Sequence, residues 1–258
     1  MSSPSFLHGT ALSSSFGAVA AQYDAARPSY PDALFDAVEE LSGRSLRAAR
    51  VLDVGAGTGI VTRLLLGRGA EVVAVEPTPG MARQLASVLP QVPLVRADGN
   101  RLPFADGSAD LITYGQAFHW TTPDHSVPEA RRVLRPGGAL AVFWNVKDRS
   151  RGWPKEQEQR LSAACPDYHG YGAVNQSGPE LERLGLRTGR AQLNWSRDIP
   201  LEQAIDDLGS RSYLAMLPEP RRAEVLAAER EALSAVFPDG VVREDYLLDL
   251  TVGVNDRG

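Results

Sequence analysis

Val51-Leu52-Asp53-Val54-Gly55-Ala56-Gly57-Thr58-Gly59 is the stretch that decides the fold. An apolar pair, an acid and a short glycine-rich turn describe a buried strand that breaks sharply into a helix beginning near Ile60. Gly55 and Gly57 tolerate positive φ and, having no Cβ, let the backbone come close to a ligand. The helix behind them offers free backbone N–H groups. Spacing separates the nucleotide sites that use such a turn. A phosphate-cradling loop needs a longer glycine run ending in Gly-Lys-Ser/Thr, and no lysine stands here. A dinucleotide fingerprint needs a small residue where Ile60 stands. The observed form is Asp-x-Gly-x-Gly-x-Gly.

Three further pieces follow in order. Glu71-Val72-Val73-Ala74-Val75 reads as a second buried strand, ending at Glu76 before Pro77. An acid about twenty residues after the glycine turn is where an α/β sheet grips ribose hydroxyls. NAD enzymes share this device, so Glu76 does not choose the cofactor. A helix-dipole role ahead of Met81-Ala82-Arg83 is the structural alternative. Val92 to Gly99 reads as a third strand ending at Asp98, an acceptor suited to an adenine amine. Leu102-Pro103-Phe104, then Asp106-Gly107-Ser108-Ala109-Asp110, lead into a fourth strand. Arg131 to Arg135 reads as a helix stopped by Pro136-Gly137-Gly138 and followed by a fifth strand, Leu140 to Trp144.

Together these motifs resemble class I S-adenosylmethionine-dependent methyltransferases, in the small-molecule branch that includes trans-aconitate methyltransferase-like enzymes. The resemblance covers about residues 20–145. It implies S-adenosylmethionine as cofactor and S-adenosylhomocysteine as product. It places the cofactor shell at Tyr23, Arg27, Asp53, Gly55, Ala56, Gly57, Thr58, Glu76, Pro77, Met81, Asp98, Gly99, Gln116, Ala117 and Trp120. In such relatives the prefix Tyr23-Asp24-x-x-Arg27-Pro28-x-Tyr30-Pro31 folds over the cofactor as a lid, with Arg27 on its carboxylate. A helix-capping arginine and two packing tyrosines are the alternative there. Gly115 to Trp120 follows strand four, beside the reacting sulfonium. His119 is the candidate catalytic base, since a neutral imidazole accepts a proton near pH 7; its alternative role is to order the loop. Tyr30, Trp144, Tyr171 and Tyr213 are candidates to line a substrate site. His119 and His125 match no helical ligand pair, so no metal is assigned.

The expected fold is α/β and Rossmann-like: a seven-stranded, mostly parallel sheet with helices on both faces. Its last strand, Tyr246 to Val254, is expected antiparallel between strands five and six, the sixth lying around Gln192 to Ser196. A single domain over 1–258 is expected, with a mobile tail at 1–14, lid helices at 15–41, a cofactor core at 48–145 and sheet completion at 146–258. Helices over Lys155–Ala164, Leu201–Leu217 and Glu219–Val236 are expected, the last two as a cap at about 201–236. Hydrophobic content of 43% and charged content of 23% are ordinary for a globular protein of 258 residues. A net charge of −5 with no basic stripe argues against nucleic acid. The single Cys165 excludes an internal disulfide and reads as a small semi-buried residue. No apolar run reaches membrane length, and the start lacks the features of a signal peptide, so a cytoplasmic monomer or homodimer is expected.

The leading function is methyl transfer to oxygen, nitrogen or carbon of a small-molecule acceptor, by in-line attack on the sulfonium methyl. Two alternatives keep the cofactor: a different reaction such as cyclisation with the cofactor as scaffold, or a peptide or protein acceptor. A NAD-dependent dehydrogenase is disfavoured by the turn spacing.

Overall fold

The computed structural model describes residues 28–150, 152–165, 168 and 177–256, and the backbone alone at Ser212. The expected tail, most of the lid prefix with Tyr23 and Arg27, and Tyr171 lie outside the described residues.

Seven strands form one sheet: β1 Arg50–Val54, β2 Glu71–Val75, β3 Leu94–Val95, β4 Ala109–Gly115, β5 Leu134–Lys147, β6 Arg187–Pro200 and β7 Val241–Val254. Their order is β3-β2-β1-β4-β5-β7-β6. β1 pairs in parallel with β2 (Asp53 opposite Ala74) and with β4 (Asp53 opposite Thr113), and β4 in parallel with β5. β7 runs the other way beside β5: Gly137 N–H donates to Asn255 O at 2.7 Å, and Asp148 N–H donates to Asp245 O at 2.8 Å. The antiparallel strand therefore stands between β5 and β6, as expected.

Around the central strands run α1 Asp32–Ser42, α2 Ile60–Gly67, α3 Pro79–Val88 and α4 Pro123–Val133. These belong to one compact unit, Ser29–Asn145 with Ala173–Leu193 and Leu248–Gly258. β1 and β4 are almost wholly buried, which explains their continuous apolar runs. β3 is only two residues long, shorter than the expected third strand. Its partner β2 ends at Val75, and Pro77 just beyond has no N–H to continue the ladder.

β5 begins earlier than expected. Pro136-Gly137-Gly138 does not end an element but is carried through the strand as an irregularity, with the register against β4 slipping between Ala109 and Leu111. Gly137 takes φ +69 there, a conformation open to glycine. β6 and β7 also outrun their expected limits. Their alternating charged residues hide the apolar signal and pair across the strands, Arg197 with Glu244 and Arg187 with Asp256. The short helix α6, Ser177–Arg183, had no sequence signal assigned to it.

A second unit comprises Val146–Gly172 and Asn194–Leu247. Its helices are α5 Trp153–Ala164, α7 Leu201–Gly209, α8 Ser212–Ala215 and α9 Glu219–Val236. α5 starts two residues before the expected Lys155, with Pro154 in its first turn. The helix expected over 201–217 breaks after Gly209, where Ser210 Oγ donates to Asp207 O at 2.7 Å and competes with the helical ladder. Val225, Glu229 and Leu233 make the one buried stripe of α9. Glu229 survives inside because Arg160 Nε donates to it at 2.7 Å and Gln157 Nε2 at 3.0 Å. Cys165 is buried in this unit's core, and burial pushes its thiol up. Among the described residues, no helix is long and apolar enough to cross a membrane.

Candidate cofactor and methyl-transfer site

The carboxyl ends of β1, β2 and β4 bring the sequence-predicted groups together, as parallel sheets do. After β1 the chain turns at Gly55 (φ +71) and Gly57 (φ +59) and enters α2 at Gly59 (φ +94). The N–H groups of Gly55 and Ala56 both donate to Val75 O, at 2.8 and 3.1 Å, which fastens the turn to β2. The two glycines differ in their surroundings. A Cβ at Gly55 would lie 2.4 Å from the Ala117 Cβ, so this turn packs directly on the loop after β4. Among the described residues, a Cβ at Gly57 would meet nothing within 4 Å.

Glu76, at the tip of β2, is 5% exposed. Its Oε2 accepts from Gly57 N–H at 2.9 Å and its Oε1 from Thr78 N–H at 2.8 Å. Each oxygen keeps a second lone pair. The carboxylate thus joins β2 to the glycine turn, a role that the helix-dipole alternative does not require. Pro77 O accepts from Arg96 Nη2 at 2.8 Å, and Met81 is buried in α3.

Asp53 points inward rather than toward a ligand. Its oxygens accept from Thr62 Oγ1 at 2.6 Å and Thr113 Oγ1 at 2.9 Å, joining the first turn of α2 to β4. Burial pushes its carboxyl up to about 6 against the pull of both hydroxyls, and the nearby charge of Glu76 adds to the rise. Neither threonine was singled out in the sequence, since isolated threonines carry no pattern.

Asp98 is exposed and follows β3. Its Oδ1 accepts from Asn100 N–H at 2.9 Å and Asn100 Nδ2 at 3.0 Å. Gly99 is a packing requirement: a Cβ would stand 3.1 Å from side-chain atoms of both Val54 and Thr121. Tyr114 Oη donates to Gly99 O at 3.2 Å, and burial pushes its phenol up.

The loop after β4 contains Ala117, buried, and one turn of 3₁₀ helix, Phe118–Trp120. His119 and Trp120 lie side by side, ring centroids 4.7 Å apart, and both are exposed. Water reaches the imidazole, yet protein fills most of its surroundings. That partial desolvation lowers His119 to about 4, so it is neutral at physiological pH. Tyr30 stands edge-on to Phe143, centroids 5.2 Å apart, and Asn145 Nδ2 donates to Ser29 O at 3.3 Å. Trp144 is buried in β5. Tyr213 packs inside the second unit, edge-on to Tyr168 at 4.9 Å. Thr58 is buried.

These residues fit an adenosine-bearing cofactor on three observations: the open side of Gly57, the spare lone pairs of Glu76, and Asp98 with one oxygen held by Asn100. Comparison with known proteins agrees. A family profile described as a methyltransferase domain matches residues 52–142. The chain is 34% identical over 228 residues to an uncharacterized methyltransferase of Mycobacterium tuberculosis (strain H37Rv), covering 86% of this chain and 87% of that protein. It is 30% identical over 207 residues to trans-aconitate 2-methyltransferase of Azoarcus sp. (strain BH72), covering 74% and 80%. The solved structure of a proposed type II methyltransferase from Anaeromyxobacter dehalogenans shares the fold, with a TM-score of 0.68, 24% identity, and coverage of 89% of this chain and 98% of that one. The chain belongs to the class I S-adenosylmethionine-dependent methyltransferases.

Proposed function

We propose that this enzyme methylates a small-molecule acceptor that is already nucleophilic at neutral pH, a carboxylate above all. The cofactor, when bound, supplies a methyl group on a positively charged sulfur. The remaining work of the protein is to hold the partners in line and to exclude water. Glu76 holds the ribose hydroxyls with its two spare lone pairs, and one oxygen of Asp98 accepts from the adenine amine. Gly57 leaves the approach open. Tyr23 and Arg27 remain proposed partners of the methionine end.

The place of His119, exposed beside Trp120 on the loop after β4 and lowered by partial desolvation, supports the acceptor class. A base works best with a pKa near the working pH. An imidazole held at about 4 is neutral but takes a proton poorly from an alcohol or ammonium group. A carboxylate needs no base, and His119 then serves as a hydrogen-bonding and positioning group. The Azoarcus relative, named for methylating trans-aconitate, supports this reading, as does the net charge of −5, which disfavours nucleic acid.

Calorimetric titration with S-adenosylhomocysteine tests the cofactor seat. Glu76→Gln is expected to weaken binding roughly 10-fold or more, the scale of a lost hydrogen bond to a charged group. His119→Ala is expected to keep that affinity. Unchanged affinity in Glu76→Gln would remove Glu76 from the site, and loss in both variants would move His119 into the cofactor shell.

A further inference from the structure

The segment Gln116-Ala117-Phe118-His119-Trp120-Thr121-Thr122 carries His119 between β4 and α4, and one turn of 3₁₀ helix is too short to hold its own shape. Its internal bonds are local: Trp120 N–H donates to Ala117 O at 3.0 Å and Thr121 N–H to Phe118 O at 3.0 Å. Its middle is held by packing, with Ala117 buried against the Gly55 turn, Phe118 buried edge-on to Tyr114 at 5.5 Å and Thr121 Oγ1 hydrogen-bonded to Ser126 Oγ at 2.9 Å, and at each of its two ends a side-chain amide adds a further tie.

At the front, Gln116 takes φ +56, a left-handed conformation that costs a residue with a side chain roughly 1 kcal/mol. The crowding just before it shows why the chain bends here. A Cβ at Gly115 would lie 2.8 Å from Val61 and 2.9 Å from Phe143. Gln116 N–H donates to Phe143 O at 2.9 Å, and its Nε2 reaches Asn145 O at 3.1 Å. The strained residue is therefore held to the tip of β5 through both main chain and side chain. At the back, the Asn100 amide uses both of its ends. Its Nδ2 donates to Asp98 Oδ1 at 3.0 Å, and its Oδ1 accepts from Thr122 N–H at 2.7 Å. One side chain thus connects the candidate adenine acid to the end of the His119 segment.

We infer that Gln116 and Asn100 are positioning residues for methyl transfer, their amides clamping the two ends of the 116–122 segment and so fixing where His119 stands. This rests on the reading that the segment faces the reacting methyl. Neither residue needs to touch the reacting atoms. A clamp matters because displacement of a reacting group by about 1 Å can cost on the order of 100-fold in rate. It also gives Gln116 a role distinct from the cofactor contact implied by the resemblance.

The test compares wild type, Gln116→Gly and Asn100→Ala, full-length and without ligand. Three quantities are measured: the imidazole titration of His119 by NMR (its signal assigned by loss in His119→Ala), thermal stability, and affinity for S-adenosylhomocysteine. Glycine relieves the strain at position 116, so Gln116→Gly is expected to unfold at the same or a higher temperature. In both variants the His119 midpoint is expected to climb at least tenfold in proton affinity, from about 4 toward 6.5, as the segment loosens and water enters. Asn100→Ala is also expected to weaken S-adenosylhomocysteine several-fold through Asp98, whereas Gln116→Gly is not. A midpoint that stays at about 4 in both stable variants would overturn the clamp. So would a change in midpoint that tracks lost stability. Wild type failing to bind S-adenosylhomocysteine would instead overturn the reading of the site, while the titration would still report on the clamp.

Discussion

Asp53 shows how far one residue's role departs from its motif. It opens the glycine signature, yet its carboxyl faces the interior with a threonine hydroxyl on each oxygen. A buried carboxyl pushed from 3.8 to about 6 binds its proton more tightly folded than unfolded. Its contribution to stability is therefore fully present below about pH 3.8 and is lost as pH rises through about 6. Asp53→Asn never ionises and keeps one acceptor, while a threonine hydroxyl can turn to accept from the new amide. The stability of the variant relative to wild type is expected to rise by about 2 kcal/mol between pH 4 and pH 7, since each tenfold difference in proton affinity is worth roughly 1.4 kcal/mol and the unfolded carboxyl is already partly ionised at pH 4. Urea unfolding at several pH values checks this, and parallel stability profiles would contradict it. The positions of Glu76, just after β2, and Asp98, a few residues beyond β3, were legible in the sequence because a short apolar run precedes each. Thr62, Thr113, Asn100 and Asn145 were not. Each acquires a partner only when distant parts of the chain meet, and a lone polar residue has no period to reveal it.

At the scale of elements, the glycine turn separates packing from binding. Gly55 and Gly57 read alike in the sequence, and both take positive φ. Gly55→Ala adds a methyl 2.4 Å from Ala117 to a backbone alanine adopts reluctantly. That variant is expected to lose roughly 2–4 kcal/mol of stability, the sum of overpacking and a left-handed alanine. Gly57→Ala meets no neighbour among the described residues, so a backbone cost of roughly 1 kcal/mol is expected. Its methyl projects into the open side of the turn, where the cofactor is proposed, and S-adenosylhomocysteine affinity is expected to fall 10-fold or more. Thermal unfolding and calorimetry on both variants check the contrast, and equal stability losses with unchanged affinity in Gly57→Ala would contradict it. The buried strands β1, β2 and β4 were plain as apolar runs, and α2 begins at Ile60 as its turn dictates. β6 and β7 were underestimated because their arginine–carboxylate pairs replace apolar residues at positions that still belong to the ladder. The break after Gly209 was missed because the expected helix ran on through Ser210, whose hydroxyl bonds back to Asp207 O.

Across the whole molecule, the family resemblance implied an antiparallel last strand between β5 and β6, and the sheet order has β7 there. The sequence yielded less of the second unit, where a buried charge cluster stands beside the apolar clusters around Ile205 and Leu161. There Glu244 is fully buried between Lys147 Nζ at 2.5 Å and Arg197 Nη2 at 2.7 Å, and accepts from Tyr246 Oη at 2.6 Å. Burial raises that carboxyl, but the two cations outweigh it and hold it below its usual range. No apolar pattern marks such a charge cluster. The family is shown by the methyltransferase relatives; the proposed acceptor class rests on the exposed, weakly basic His119 and on the relative named for methylating trans-aconitate. The most direct measurement incubates the purified protein with methyl-deuterated S-adenosylmethionine and a cell metabolite extract, trans-aconitate added as a reference acid, and follows products by mass spectrometry. The account predicts a small carboxylic acid that gains one carbon and three deuteriums as an ester, with S-adenosylhomocysteine released. A metabolite consumed without label, or label found only on protein, would contradict it.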